Sequence, residues 1–144
     1  MFKNIAVAYE DIPQGRHALA RAIELSGKLG SPLTILTIAD PMPAYMAFTA
    51  AAGSTAMQVL EQDRTEFYEE QKQRLIDEGQ KHGVAVSAYI LDGNRVQAIV
   101  DFVTTNEIDL LVVGLHRHSL RMSSLWSTVY SLAQELSCSV LGVH

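Results

Sequence analysis

The sequence predicts an α/β fold, a five-stranded parallel doubly wound sheet with helices on both faces. Two observations predict it: short apolar runs rich in β-branched residues alternate with longer segments of helical periodicity, and this alternation repeats four times before a final strand. Such an order requires right-handed crossovers between parallel strands. Runs that are apolar at successive positions belong to strands buried on both faces. A chain of 144 residues has the length of one domain, so residues 1–144 are expected to form a single one.

The elements follow in order. Asn4 to Tyr9 is a short apolar run that stops at the acidic pair Glu10-Asp11, and reads as the first buried strand. Pro13 suits a first helical turn; Ala18, Leu19, Ala22, Leu25, Ser26 and Leu29 then recur at helical spacing until Gly30 ends the helix. Leu33 to Ala39 is a second strand, stopped by Asp40-Pro41. Met57 to Lys81 is rich in Glu, Gln, Lys and Arg, with Leu60, Phe67, Leu75 and Ile76 as apolar residues, and reads as a long, mostly solvated helix ending near Gly83. Val84 to Leu91 is the third strand and Asp92-Gly93-Asn94 a turn. Val96, Ile99, Val100 and Val103 form the stripe of a third helix. Ile108 to Val113 is a fourth strand ending at Gly114, a fourth helix is expected to start at Ser127-Thr128, and Ser139 to Val143 closes the sheet.

Composition removes several classes of function. Lys+Arg number 11 against 16 Asp+Glu, a net charge of −5, which argues against a general nucleic-acid or anionic-membrane binder. The lone cysteine, Cys138, has no intrachain partner for a disulfide and fits a reducing compartment. No basic stretch followed by a long apolar run opens the chain, so a signal peptide is not expected and the location expected is cytoplasmic. Pro41 to Leu60 carries no charge, but two prolines, Gly53 and several polar residues make it only weakly apolar, and its place inside an α/β repeat leaves the chain nowhere to cross a membrane. Tyr45, Met46 and Phe48 point to a flap, a docking surface for a partner, or a local helix packed on its own domain.

The stretch with most chemistry follows the fourth strand. His116, Arg117, His118, Ser119, Arg121, Ser123 and Ser124 make a donor-rich loop between Gly114 and the next helix. In a doubly wound sheet such a loop lies at the carboxyl ends of the strands, where helix N-termini favour anions. Glu10, Asp40, Asp92 and Gly114 are expected along one rim there. The alternative is an ordinary polar loop with a Ser/Thr helix cap.

These residues together resemble the universal stress protein (UspA-like) family. Ile5 to Glu10 stands at its first strand, Ala18-Leu19 in its first helix and Asp92-Gly93-Asn94 at its turn before the third helix. Asp109 to Gly114 and Cys138 to Val143 match its fourth and last strands. The resemblance implies an adenine nucleotide α-hydrolase-like fold and a homodimer whose contact is the last strand, Val140 to Val143. Nucleotide-binding members carry Gly-x-x-Gly-x9-Gly-Ser/Thr after the fourth strand. Here Gly114 and Thr128 match, whereas Arg117 and Ser127 replace the second and third glycines and Glu10 replaces Asp. An arginine cannot offer the bare backbone that a glycine brings to phosphate. The implied function is a homodimeric stress-response or regulatory protein acting through partner binding, with a degenerate ATP-binding loop and no catalysis. The second implied function is a nucleotide-dependent switch or slow ATPase, with Glu10, Ala39, Gly114, Arg117, Ser127 and Thr128 around bound ATP or AMP.

Other constellations are weaker. His116 and His118 lack a carboxylate or cysteine at metal-ligand spacing, so no metal is expected. Cys138 has no neighbouring base, and Asp92 lacks the lysine after a fifth strand that a phospho-acceptor receiver requires. Ser123 and Ser124 are phosphorylation candidates by resemblance alone.

Overall fold

The computed structural model describes residues 1–40, 53–115 and 122–144, with backbone alone at Ser54 and over 122–128. Five strands, β1 (Ile5–Tyr9), β2 (Leu33–Ile38), β3 (Val86–Leu91), β4 (Leu110–Gly114) and β5 (Ser139–Val143), form one sheet. Every pairing is parallel and the spatial order is β3-β2-β1-β4-β5. The helices between them are α1 (Pro13–Leu29), α2 (Ser54–Lys81), α3 (Arg95–Thr105) and α4 (Met122–Glu135). The doubly wound fold expected from the alternation is therefore present.

The continuous apolar runs have a direct cause. β1, β2 and β4 lie inside the sheet, so residues pointing either way are buried. Ile5, Val7, Leu33, Ile35, Leu110 and Val112 pack with Ala18, Leu19, Ala22 and Ile23 of α1 and Leu75 of α2. Ala6, Leu36, Leu111 and Val113 pack on the opposite face with Ile99 and Val103 of α3 and Leu132 of α4. Alternate residues of one strand thus feed two cores.

Local signals set the ends of α1. Pro13 begins it and Gly30, at φ 65, stops it in the left-handed region. Helix α3 starts where Asn94 accepts a 3.1 Å hydrogen bond from the Gln97 amide. The strand starts fall within two residues of expectation, and two helix starts differ by more. Helix α2 starts at Ser54, so the last residues of the uncharged stretch 41–60 are its first turns; residues 41–52 lie outside the described residues. Helix α4 starts at Met122, five residues before the Ser127-Thr128 cap expected from the sequence. Serine and threonine resemble a helix start, but Leu125-Trp126 ahead of them continues the helical sequence.

Two devices fasten the frame. The Asp109 carboxylate accepts from the Lys3 and Asn4 amides at 2.7 and 3.0 Å, tying the entrance of β1 to that of β4. At the opposite end, the Tyr68 hydroxyl accepts from the Asp40 amide at 2.8 Å. Arg64 Nη2 donates to the Asp40 carbonyl at 2.6 Å and lies 3.7 Å from the Asp92 carboxylate. Helix α2 thereby fixes where the chain leaves β2. Among the described residues, no helix is long and apolar enough to span a membrane.

Candidate functional site

Chain direction across the sheet reverses at β1: β2 and β3 lie to one side, β4 and β5 to the other. The crevice beyond the carboxyl ends of the strands at such a reversal is the usual ligand position in an open α/β sheet. In this protein it is a recess floored by Ala8, Leu36, Ile38 and Val113, with Ile99 of α3 and Val129 and Leu132 of α4 against it. The first turn of α1 supplies another wall through Gln14 and Gly15.

Close backbone packing shapes that wall. After Tyr9 the chain turns tightly, the Ile12 amide donating to the Glu10 carbonyl at 2.8 Å. A Cβ on Gly15 would collide with that same carbonyl. A Cβ on Gly114 would lie 2.7 Å from the Gln14 carbonyl oxygen. Gly114 is thus required for β4 to close on α1, a reason that applies whether or not phosphate binds.

The recess carries one charge pair. Glu10, at the end of β1, makes an ion pair with Arg95 Nη1, at the start of α3. Burial pushes the Arg95 guanidinium below its ordinary value. On the outside of the turn, the Tyr9 hydroxyl donates to Asp11 at 3.1 Å and Arg16 Nη1 donates to the same oxygen at 2.8 Å. Burial first, and then the bond to Asp11, push the Tyr9 phenol up to about 12. The Arg16 hydrogen bond, and next that from Tyr9, hold Asp11 below its usual range.

The residues expected at the site are not all brought together. Glu10 and Gly114 line the recess. Ala39 does not: it is buried, with its amide donating to Leu91 at 2.8 Å, and Leu36 and Ile38 present β2 instead. Arg117 lies outside the described residues, as do His116 and His118. Ser127 and Thr128 fall inside α4, immediately before Val129. Arg95 is the residue that sequence reasoning missed. Its only signal was a cation in the first turn of a helix that follows a rim turn.

Among the described residues lining the recess there is no serine, histidine or cysteine, and no His/Cys/Asp/Glu group suited to a metal occurs among the described residues. The arrangement suits holding a flat apolar group beside one anion or cation.

A parallel sheet wound both ways, with an apolar recess at its reversal point, defines a doubly wound α/β protein. The chain belongs to the universal stress protein family, whose model matches residues 1–144. It is 25% identical over 136 residues to universal stress protein C of Salmonella typhimurium, covering 92% of this chain and 91% of that one. A universal stress protein family structure from Burkholderia pseudomallei superposes with a TM-score of 0.72 at 17% identity, covering 99% of this chain and 96% of that one. A family protein from Arabidopsis thaliana, solved with AMP bound, gives 0.67 at 14% identity, covering 98% and 90%. At these identities the structures speak for the shared fold.

Proposed function

We propose that this chain is a cytoplasmic, homodimeric stress-response regulator that acts through partner binding, and that its recess is a low-affinity nucleotide site rather than a centre of ATP hydrolysis. One observation carries the reading: among the described residues lining the recess Arg95 is the sole cation, and it already holds Glu10. A triphosphate needs several cations or bare amides around it. The glycines that would supply amides are Arg117 and Ser127 in this sequence. Isothermal titration with Mg-ATP and with AMP tests it. Micromolar affinity for Mg-ATP overturns the reading, and ATP binding no tighter than AMP supports it.

Support for assembly comes from the sheet edge. β5 is an edge strand and its Leu141 is 40% exposed, the kind of apolar edge that pairs with another chain. Sedimentation of the full chain against Leu141→Lys checks this, a wild-type monomer being the adverse result. The partner surface proposed is the uncharged stretch 41–60, whose Val59, on α2, is 53% exposed with Phe67 at 55% two turns on.

The second reading, a nucleotide-dependent switch that binds ATP or AMP, is favoured by the recess lying at the reversal point of the sheet. Relatives of the same fold have been solved with AMP and with dAMP.

A further inference from the structure

Charge at the edge of a mostly apolar recess calls for an explanation, since Arg95, which lines it together with Ile38, Ile99 and Val129, gives up part of its hydration there. Among the described residues, the anion that holds Arg95 there is the Glu10 carboxylate. Both side chains remain partly open to solvent, at 42% for Arg95 and 37% for Glu10, so an incoming molecule can reach the pair. An ion pair as exposed as this is weak, on the order of 1 kcal/mol or less, and yields to a better anion. A phosphate monoester is that better anion, because it matches the arginine fork as a carboxylate does and carries more charge.

We propose that Arg95 is the specificity-determining residue of this recess, binding the phosphate of a nucleoside monophosphate, and that Glu10 is its built-in competitor. The proposal rests on reading the recess as a nucleotide site and adds to it which anion is chosen and what holds its place. In the empty protein the Glu10 carboxylate occupies the guanidinium. When the nucleotide enters, its base lies against the partly exposed apolar side chains Ala8, Ile38 and Val129, and its phosphate takes Arg95 from Glu10. The released carboxylate then stands beside the phosphate and repels further charge. A monophosphate is therefore preferred to a triphosphate at this position. The same competition lowers affinity for every phosphate ligand while leaving the uncharged nucleoside untouched.

Titration calorimetry of the full-length chain with AMP and with adenosine tests this on the wild type, Glu10→Gln, Arg95→Gln, Arg95→Lys and the double variant Glu10→Gln/Arg95→Gln. Glu10→Gln is expected to tighten AMP up to about fivefold relative to adenosine. Arg95→Gln is expected to weaken AMP by about tenfold or more relative to adenosine. Arg95→Lys, which keeps charge but loses the fork, falls between. In the double variant the gain from Glu10→Gln disappears, because the group competed for is gone. Thermal melts confirm that each variant is folded, and Arg95→Lys alone suffices if Arg95→Gln is not. An equal loss of AMP and adenosine in Arg95→Gln overturns the proposal and makes Arg95 a support of the recess wall. Adenosine binding with AMP indifferent to every variant overturns it while leaving the recess a nucleoside site. Binding of neither ligand at millimolar concentration by wild type and Glu10→Gln overturns both the proposal and the nucleotide reading beneath it.

Discussion

Replacing Gly114 by alanine separates two meanings of a glycine that the family resemblance places at a phosphate site. The added Cβ would stand 2.7 Å from the Gln14 carbonyl oxygen and 3.2 Å from the Gln14 Cβ. The first contact is backbone held in the opening turn of α1, so relief requires moving β4 or α1 rather than turning a side chain. Overpacking of this kind costs about 1–3 kcal/mol. With 144 residues and about 2.1 cal/mol/K per residue, the unfolding entropy is near 0.3 kcal/mol/K, so Tm should fall by about 3–10 °C. Calorimetry without nucleotide is the assay. Gly27→Ala is the control, since its Cβ would meet only Val84 Cγ2 at an ordinary 3.7 Å and alanine favours the helix by up to about 1 kcal/mol. Opposite shifts are expected in the two variants. A Gly114→Ala protein as stable as wild type, defective only in ligand binding, would refute the packing argument.

Three further outcomes follow from the contacts described. Asp109→Ala removes the acceptor of the Lys3 and Asn4 amides and should cost about 1–3 kcal/mol in urea denaturation, with faster amide exchange at the start of β1. Tyr9 is pushed up to about 12 from 10.0 by burial, so its neutral phenol contributes stability fully below pH 10, and that contribution is lost as pH rises through about 12. Tyrosinate absorbance should show Tyr9 titrating late, and Tyr9→Phe should lessen the stability loss over that interval. Burial also raises the Cys138 thiol, so iodoacetamide should alkylate it more slowly at neutral pH than a free thiol, and denaturant should abolish the difference.

The strands were legible because their cause is simple. A strand inside a parallel sheet has no polar face, and Ile5 to Tyr9, Leu33 to Ile38 and Leu110 to Val113 show none. Helix α1 was legible at both ends, through Pro13 and Gly30. The start of α4 was not, because the Ser127-Thr128 pair gives a cap signal inside a helix already under way. At the candidate site, Glu10 and Gly114 could be placed from the strand ends that carry them. Ala39 could not, since strand position alone does not say which residue of β2 faces the recess, and Leu36 and Ile38 take that role.

Arg95 escaped for a deeper reason. Its partner lies 85 positions earlier, and only the order β2-β1-β4, with α3 crossing behind, brings the start of α3 over the end of β1. The sequence nevertheless held half of the fact, in the glutamate that stands where the family has aspartate. The extra methylene extends the carboxylate by one carbon–carbon bond, about 1.5 Å, toward Arg95. The cation at position 95 and the acid at position 10 therefore have to be read together, since each is the other's partner at the edge of the recess. Glu10→Asp should accordingly behave toward AMP as a weakened competitor, intermediate between wild type and Glu10→Gln. An affinity equal to wild type would show that reach is not what holds the pair.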